Sequence, residues 1–328
     1  MNSYLFLLFQ SYLLGFSKPL LKSKNVDATL NKRMKITMMA HLPLKNLISV
    51  KKINNVSQAG LAASFQSNLL DVEQVYATAN TTIESSQLNN ESYLIIRDRF
   101  NAAKGYFDYR QRNYESARAN LYIALKSCMT LINQYNYDCL RGRPIHLACN
   151  LVKVEGCSEN QERAIKIACY LISNLGDNCN NSLYEDIDLL KPIQHLSFKN
   201  ENFLLTQIFE EVAKLLASCN DRKSNELVDL AVNLLEERNL SSNEQFYREH
   251  TWLKNKKVLA QGKTIEFLER ASEFLIDGRG SCKLLWHATV LDILKICQNI
   301  DSEISKKLQQ QITKDFSKYK YLPSVLKA

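Results

Sequence analysis

Few residues of this 328-residue chain are spaced as a catalytic or metal site requires. No phosphate-binding loop, Gly-x-Ser-x-Gly turn, His-Glu-x-x-His motif, dinucleotide-binding glycine pattern or calcium loop occurs. The histidines are scattered, at His41, His146, His195, His250 and His287. A metal or catalytic centre would have to be assembled from residues distant in the sequence. We therefore expect no cofactor, no metal and no catalysis, with an enzyme of non-local active site as the third hypothesis.

The nine cysteines look at first like a metal or disulfide framework. Their number is odd, and no Cys-x-x-Cys pair occurs. Most lie among apolar neighbours, as Cys169 and Cys297 do, where a free thiol packs like a small hydrophobic side chain. Free thiols are typical of a reducing compartment. We expect an intracellular, cytoplasmic protein, or a nuclear one if the source is eukaryotic.

One polar constellation could bind an anionic group. If a helix starts at the proline after the second arginine, three of its side chains share one face, with both arginines at its positive end. Such a face could hold a carboxylate or a phosphate. The alternative is a solvated face opposite an apolar stripe. The residues are Arg141, Arg143, His146, Asn150 and Lys153.

The elements that must position these residues are helices. From about residue 58, apolar residues recur at the three-and-four spacing of a helix, and strand alternation is nowhere sustained. With only nine glycines and five prolines, the chain has few turn signals. The predicted helices are 58–87, 92–111, 114–134, 143–155, 159–175, 182–195, 199–219, 222–238, 243–261, 263–276, 280–299 and 301–319.

The stretch from residue 101 to 125, NAAKGYFDYRQRNYESARANLYIAL, resembles a tetratricopeptide repeat over about residues 98–131. The family's small residue at its eighth position matches Gly105, and its aromatic at the seventeenth matches Tyr114. Its two alanines match Ala117 and Ala124, while Leu121 takes an aromatic position. Small residues at these places let two antiparallel helices approach closely.

The resemblance has departures at Asn101, Asp108 and Arg112, where the family commonly has an aromatic, a tyrosine and a glycine. Later segments repeat the arrangement without a strict period. The resemblance implies an all-α fold, an irregular tetratricopeptide-like α-solenoid of antiparallel helix pairs. A PCI-type helical scaffold is the alternative, although no strand pattern for its terminal winged helix is present. The groove positions implied by the resemblance are Arg99, Tyr106, Tyr109 and Arg110.

Charge divides the chain into two parts. Apolar residues make up 45% and charged residues 23%, as in a folded protein. Residues 1–55 hold nine basic side chains against Asp27 alone and so carry the whole net charge of +8, which leaves 33 basic and 33 acidic residues elsewhere. We expect a basic, poorly ordered N-terminal segment, 1–55, and a helical-repeat domain, 56–328.

The N-terminal segment has three interpretations. Residues 4–16 are almost wholly apolar and lysines follow, so residues 4–24 could contact a membrane surface peripherally. Translation could instead begin at Met34, Met38 or Met39. A basic arm that contacts nucleic acid is the third interpretation.

Two functions of different classes follow. The first is a protein-interaction or regulatory scaffold that binds a peptide or a partner helix in a concave helical groove. The alternative is a nucleic-acid-associated regulator or scaffold that uses the basic N-terminal arm.

Overall fold

Helices make up almost all of the described chain. The computed structural model describes residues 2–19, 26–65, 69–175, 201–236, 247–280, 282–319 and 322–327, and these contain fourteen α-helices and no strand. The predicted all-α fold is confirmed. The helices are α1 (Asn2–Ser17), α2 (Val26–His41), α3 (Leu44–Phe65), α4 (Leu69–Ser85), α5 (Asn90–Arg110), α6 (Tyr114–Tyr135), α7 (Arg143–Cys157), α8 (Gln161–Leu175), α9 (Glu201–Ser218), α10 (Asp221–Glu236), α11 (Tyr247–Ala260), α12 (Thr264–Ile276), α13 (Lys283–Gln298) and α14 (Glu303–Phe316).

The helix predictions fail at two places within these residues. No helix is predicted before residue 58, although α1, α2 and the first part of α3 lie there. The single helix predicted over 58–87 is two helices, α3 and α4. The two helices pack closely at Gly60, where an added Cβ would lie 3.0 Å from the ring of Tyr76. The apolar spacing continues through both helices, so periodicity did not reveal the break. The helix predicted over 182–195 lies outside the described residues.

Contacts divide the chain into two compact units. The terminal unit comprises residues 1–23, 168–178 and 202–328, and the central unit comprises residues 24–167 and 179–201. Helix α1 therefore belongs with α9–α14, although more than 180 residues separate them in the sequence. The central unit contains α2–α7.

In the central unit, α5 and α6 form a tight hairpin around small residues. A Cβ added at Gly105 would lie 3.2 Å from the carbonyl oxygen of Ala117 and 3.3 Å from Cγ of Leu121. Ala117 is fully buried. Gly105 and Ala117 thus allow the close approach that the sequence predicts.

The turn of this hairpin is a Schellman motif. The N–H of Asn113 donates to the carbonyl of Asp108, and the N–H of Arg112 donates to that of Tyr109. Arg112 has φ +61°, a left-handed conformation that favours glycine. The turn between α11 and α12 has the same bonding, with Gly262 at φ +73° in the equivalent place.

A buried carboxylate fastens α5 to α6. Asp108 is 5% exposed and accepts hydrogen bonds from the Ser116 hydroxyl at 2.6 Å and the Asn120 amide at 2.8 Å. Lys104 forms an ion pair with it at 3.1 Å. Because its partners satisfy it, the buried carboxylate can hold the two helices in a defined position.

In the terminal unit, α1 packs against α12 with almost no space between the backbones. A Cβ added at Gly15 would lie 1.9 Å from the carbonyl oxygen of Leu275, and the hydroxyls of Ser11 and Ser272 lie 2.7 Å apart. Ser11 of α1 meets Ser272 of α12, and Gly15, further along α1, meets Leu275, further along α12. The two helices therefore run parallel.

An adjacent side of α1 contacts α14 and the residues that follow it. The hydroxyl of Tyr12 donates to Asp315 at 3.1 Å, and the rings of Phe16 and Tyr319 have centroids 5.9 Å apart. The residue numbers in these contacts also rise together, so the end of α14 and the turn after it, which holds Tyr319, follow the direction of α1. Arg279 donates to the carbonyl of Phe16 at 2.7 Å and so satisfies a backbone acceptor at the end of α1.

Within residues 1–55, the structure describes α1, α2 and the first part of α3. Leu5, Leu8 and Tyr12 are at most 1% exposed, as core residues are. In the ranges that the structure describes, no helix combines the length and apolar composition needed to cross a bilayer.

Candidate functional site

The predicted helix start in the polar constellation is correct. Helix α7 begins at Arg143 and has Pro144 in its first turn, where a missing N–H costs nothing. The apolar stripe of α7 is buried, and His146, Asn150 and Lys153 lie half-buried on its polar side.

At the start of α7, an ion pair links it to α5. Arg143 Nε donates to both carboxylate oxygens of Asp98, at 3.1 and 3.0 Å, and Asp98 is 1% exposed. Arg99, the next residue of α5, is half-buried. Burial lowers the pKa of Arg99, Asp98 opposes that shift, and Arg143 adds to it. Among the described residues, Arg99 Nε has no hydrogen-bond partner. In the part of the chain that the structure describes, the start of α7 and the neighbouring turn of α5 therefore hold two guanidinium groups and one carboxylate.

Further along both helices, a lysine lies over two tyrosine rings. Lys153 Nζ is 5.0 Å from the ring centroid of Tyr109 and 5.7 Å from that of Tyr106, distances typical of a cation–π interaction. The two rings have centroids 6.2 Å apart. Arg110 Nη1 lies 3.5 Å from the Tyr106 hydroxyl. Four predicted residues from two separate helices thus meet at one place.

These two contacts show that α5 and α7 run parallel. Asp98 and Tyr109 are eleven residues apart on α5, and Arg143 and Lys153 are ten apart on α7. Either separation is about 15 Å along a helix axis. We call this surface the α5–α7 face. It comprises Asp98, Arg99, Tyr106, Tyr109, Arg110, Arg143, His146, Asn150 and Lys153.

The α5–α7 face carries more positive than negative charge. Among the described residues, Arg99, Arg110, Arg143 and Lys153 are set against the single carboxylate of Asp98. The tyrosine rings next to these cations are half-buried.

Arg141 is the predicted residue that does not join the face. Its guanidinium pairs with Asp138, three residues earlier, at 2.8 Å, and both side chains are well exposed. An exposed local pair of this kind contributes little to stability or binding. The cause is that Arg141 precedes the first residue of α7 and so lacks the helical register of the others.

Sequence analysis missed three participants in this region. Asp98 holds Arg143, the Cys157 thiol lies 3.5 Å from the Tyr109 hydroxyl, and the Tyr114 ring lies 6.2 Å from the Tyr109 ring. The contacts of Asp98 and Cys157 join residues 45 and 48 positions apart, for which the sequence offers no local signal.

A cavity of about 410 Å³ in the terminal unit is lined by none of the predicted residues. Two of its three lysines are already paired, Lys256 with Asp292 at 2.9 Å and Lys295 with Asp221 at 2.9 Å. Over the described ranges, no group of three or more His, Cys, Asp and Glu side chains could hold a metal ion.

Comparisons of the chain with protein-family models, curated proteins and solved structures found no match.

Proposed function

We propose that the protein is an interaction scaffold that binds a peptide or helix of a partner protein on the α5–α7 face. The observation that carries this proposal is the position of Lys153 over the rings of Tyr106 and Tyr109. Tyrosine and arginine are the residues that most often dominate binding energy at protein interfaces.

The charge of the face favours an acidic partner segment. Lys153 and Arg110 flank the tyrosine pair, while Arg99 and Arg143 lie at the other end. A segment that places aromatic or aliphatic groups on the rings and carboxylates beside the cations would match both features.

The architecture that would present this face is an irregular tetratricopeptide-like solenoid. Three features support it, namely the parallel course of α5 and α7, the close approach at Gly105, and the left-handed residue at the turn. The equivalent turn between α11 and α12 suits a second hairpin of the same kind. In such a solenoid the first helices of successive pairs line a concave surface.

Selection from a random-peptide display library tests the proposal. The full chain is used as bait, and selected peptides are measured by fluorescence polarisation against the wild type and against Tyr109→Ala/Arg110→Ala. We expect enrichment of acidic peptides with aromatic or aliphatic residues, and an affinity loss of about tenfold or more in the double variant. Lys153→Glu should weaken the same peptides by repulsion.

Tyr93→Ala/Arg97→Ala is the matched control. It also removes a tyrosine and an arginine one turn apart on α5, stacked at 5.3 Å, but outside the α5–α7 face. It should bind the selected peptides as the wild type does. If the peptides bind Tyr109→Ala/Arg110→Ala equally well, the face is not the binding surface.

A further inference from the structure

The cavity in the terminal unit has the size of a small-molecule site. Its volume is about 410 Å³, and it is lined by α9, α10, α11 and α13 together with Val325 and Lys327, which follow α14. All of these lining residues belong to the terminal unit. Protein interiors are close-packed, so few spaces between packed helices are larger than a water molecule. A volume of roughly 300 to 1,000 Å³ is typical of sites that bind small molecules.

Alanines keep this space open. Ala213 and Ala217 lie one turn apart on α9 and therefore face the same side of that helix. Ala288 contributes a third small side chain to the lining, from α13. Small side chains on two helices thus account for the space between them.

Most of the uncharged lining is apolar. Trp252 and Leu216 are core residues that are 1% and 3% exposed. Leu259, Leu291 and Ile296 are half-buried and line the same space. Such a lining favours a ligand whose body is aliphatic or aromatic, because binding removes apolar surface of both molecules from water.

A nearly buried ion pair is the polar group of the lining whose position is fixed. Lys256 of α11 donates to both carboxylate oxygens of Asp292 of α13, at 2.9 and 3.0 Å, and the two side chains are 12% and 10% exposed. An ammonium group has three N–H donors, and within the described residues Lys256 uses them on Asp292 alone. A neutral acceptor atom of a ligand could take the remaining N–H. A carboxylate at this place would be repelled by Asp292.

The ionised residues at the solvent-exposed side of the cavity favour an anion. Lys295 and Asp221 form a pair with 52% and 82% of their side chains exposed, so this part of the cavity meets solvent. Lys327 is also exposed and adds a second cation to the lining on this side. The described lining as a whole has three lysines and two aspartates, a net charge of +1. This excess complements one negative charge and disfavours a cation.

We infer that the cavity binds a small carboxylic acid with an apolar body, a role beyond the proposed peptide binding. The apolar body would lie against Trp252 and Leu216. The carboxylate would lie beside Lys295 and Lys327, where the cavity meets solvent. This orientation keeps the negative charge hydrated and next to cations, and it buries only the part of the ligand that gains from burial.

Isothermal titration calorimetry with the full chain tests the inference. Octanoate is the probe, and 1-octanol and octylammonium are its neutral and cationic counterparts of equal chain length. We expect octanoate to bind roughly fivefold more tightly than 1-octanol, and octylammonium to bind most weakly. The enthalpy of octanoate binding should become more negative as temperature rises, because apolar surface is buried.

A cavity-filling variant tests where octanoate binds. Ala217→Leu puts a larger side chain at a half-buried position of the lining and should lower the octanoate affinity about tenfold or more. Its thermal stability should be equal to or higher than that of the wild type, so that a loss of binding is not a loss of folding. Ala260→Leu is the matched control, because Ala260 is also a half-buried alanine of the terminal unit but does not line the cavity. It should bind octanoate as the wild type does.

A charge variant tests the recognition of the carboxylate. Lys295→Gln/Lys327→Gln should lower the octanoate affinity roughly fivefold and leave that for 1-octanol unchanged. Lys263→Gln/Lys306→Gln is its control, since both lysines are exposed and lie outside the cavity in the same unit. It should change neither affinity.

The inference is overturned if octanoate does not bind, if 1-octanol binds as tightly as octanoate, or if Ala217→Leu binds octanoate as well as Ala260→Leu does. Equal effects of the two lysine variants would also overturn it. Peptide binding on the α5–α7 face should be unchanged in every variant, because that face belongs to the central unit. The two proposals therefore fail separately.

Discussion

The pH dependence of stability in the terminal unit should depend on Glu210 of α9. Burial raises the pKa of this carboxyl to about 7 from an ordinary 4.5, against the opposing effect of Lys214. Between pH 4.5 and pH 7, Glu210 keeps its proton in the folded chain but has released it in the unfolded chain. Stability therefore falls as pH rises, by about 1.4 kcal/mol per pH unit and about 3 kcal/mol in all.

His287 has the opposite effect. It is fully buried beside the rings of Trp286, Phe316 and Tyr319, and neither ring nitrogen has a hydrogen-bond partner in the described residues. Burial lowers its pKa to about 3 from an ordinary 6.5, with smaller contributions from nearby cations. The neutral ring is required in the fold, so stability is complete above pH 6.5 and is lost as pH falls from there towards 3.

Between about pH 4.5 and 6.5 the two dependences have opposite slopes and offset each other in the wild type. Glu210→Gln removes one of them. The unfolding free energy of the variant minus that of the wild type should rise from near zero at pH 4.5 to about 3 kcal/mol above pH 7. In His287→Phe, only the pH dependence caused by Glu210 should remain, so the stability of this variant should fall as pH rises across the same window.

Urea denaturation followed by far-ultraviolet circular dichroism at a series of pH values measures these differences. Glu226→Gln is the control, since its carboxyl is half exposed and forms surface pairs with Arg222 and Lys223. It should change stability by no more than about 0.5 kcal/mol. A difference between Glu210→Gln and wild type that stays constant with pH would show that folding does not raise the pKa of Glu210.

Three further substitutions test the packing. Arg112→Gly should stabilise the chain by roughly 0.5 to 1 kcal/mol because φ is +61°, and Arg112→Ala should give no such gain in a thermal melt. Gly15→Ala should destabilise the terminal unit by about 2 kcal/mol or more, because its Cβ would lie 1.9 Å from the Leu275 carbonyl oxygen, and limited proteolysis should then release α1. Glu155→Gln should cost about 3 kcal/mol in denaturant titrations, since the fully buried Glu155 accepts two hydrogen bonds from Arg118 at 2.7 and 2.8 Å. Unchanged stability in any of these variants would contradict the corresponding contact.

Much of the helical structure could be predicted because each amphipathic helix shows its own buried stripe in the sequence. Helix α1 could not, since its exposed side carries Phe6, Leu7, Leu13 and Leu14 beside polar residues, and periodicity therefore has little contrast. The cue that distinguishes the two faces is Ser11 and Gly15, small residues one turn apart that permit close packing on α12. Small residues indicate close approach only when the partner helix is known.

The sequence predicted which residues of the candidate site share a helix face, but not which residues of the two helices contact each other. Spacing put His146, Asn150 and Lys153 on one side of α7, and the family resemblance implied Tyr106 and Tyr109 on α5. Which residues meet depends on the register between α5 and α7, and that register is fixed by the pairing of residues 98 and 143, far apart in the sequence.

The departures from the tetratricopeptide pattern also bear on the proposed function. At Asp108 the family commonly has a tyrosine, whose ring would fill space between helices, but here a buried carboxylate binds Ser116 and Asn120 instead. Hydrogen bonds constrain direction more than apolar packing does, so this network fixes the rotation of α5 about its axis. Tyr106 and Tyr109 stand on the same two turns as Asp108. Their rings are thereby held where Lys153 can lie over both, and a surface fixed before binding loses less conformational entropy when a partner arrives.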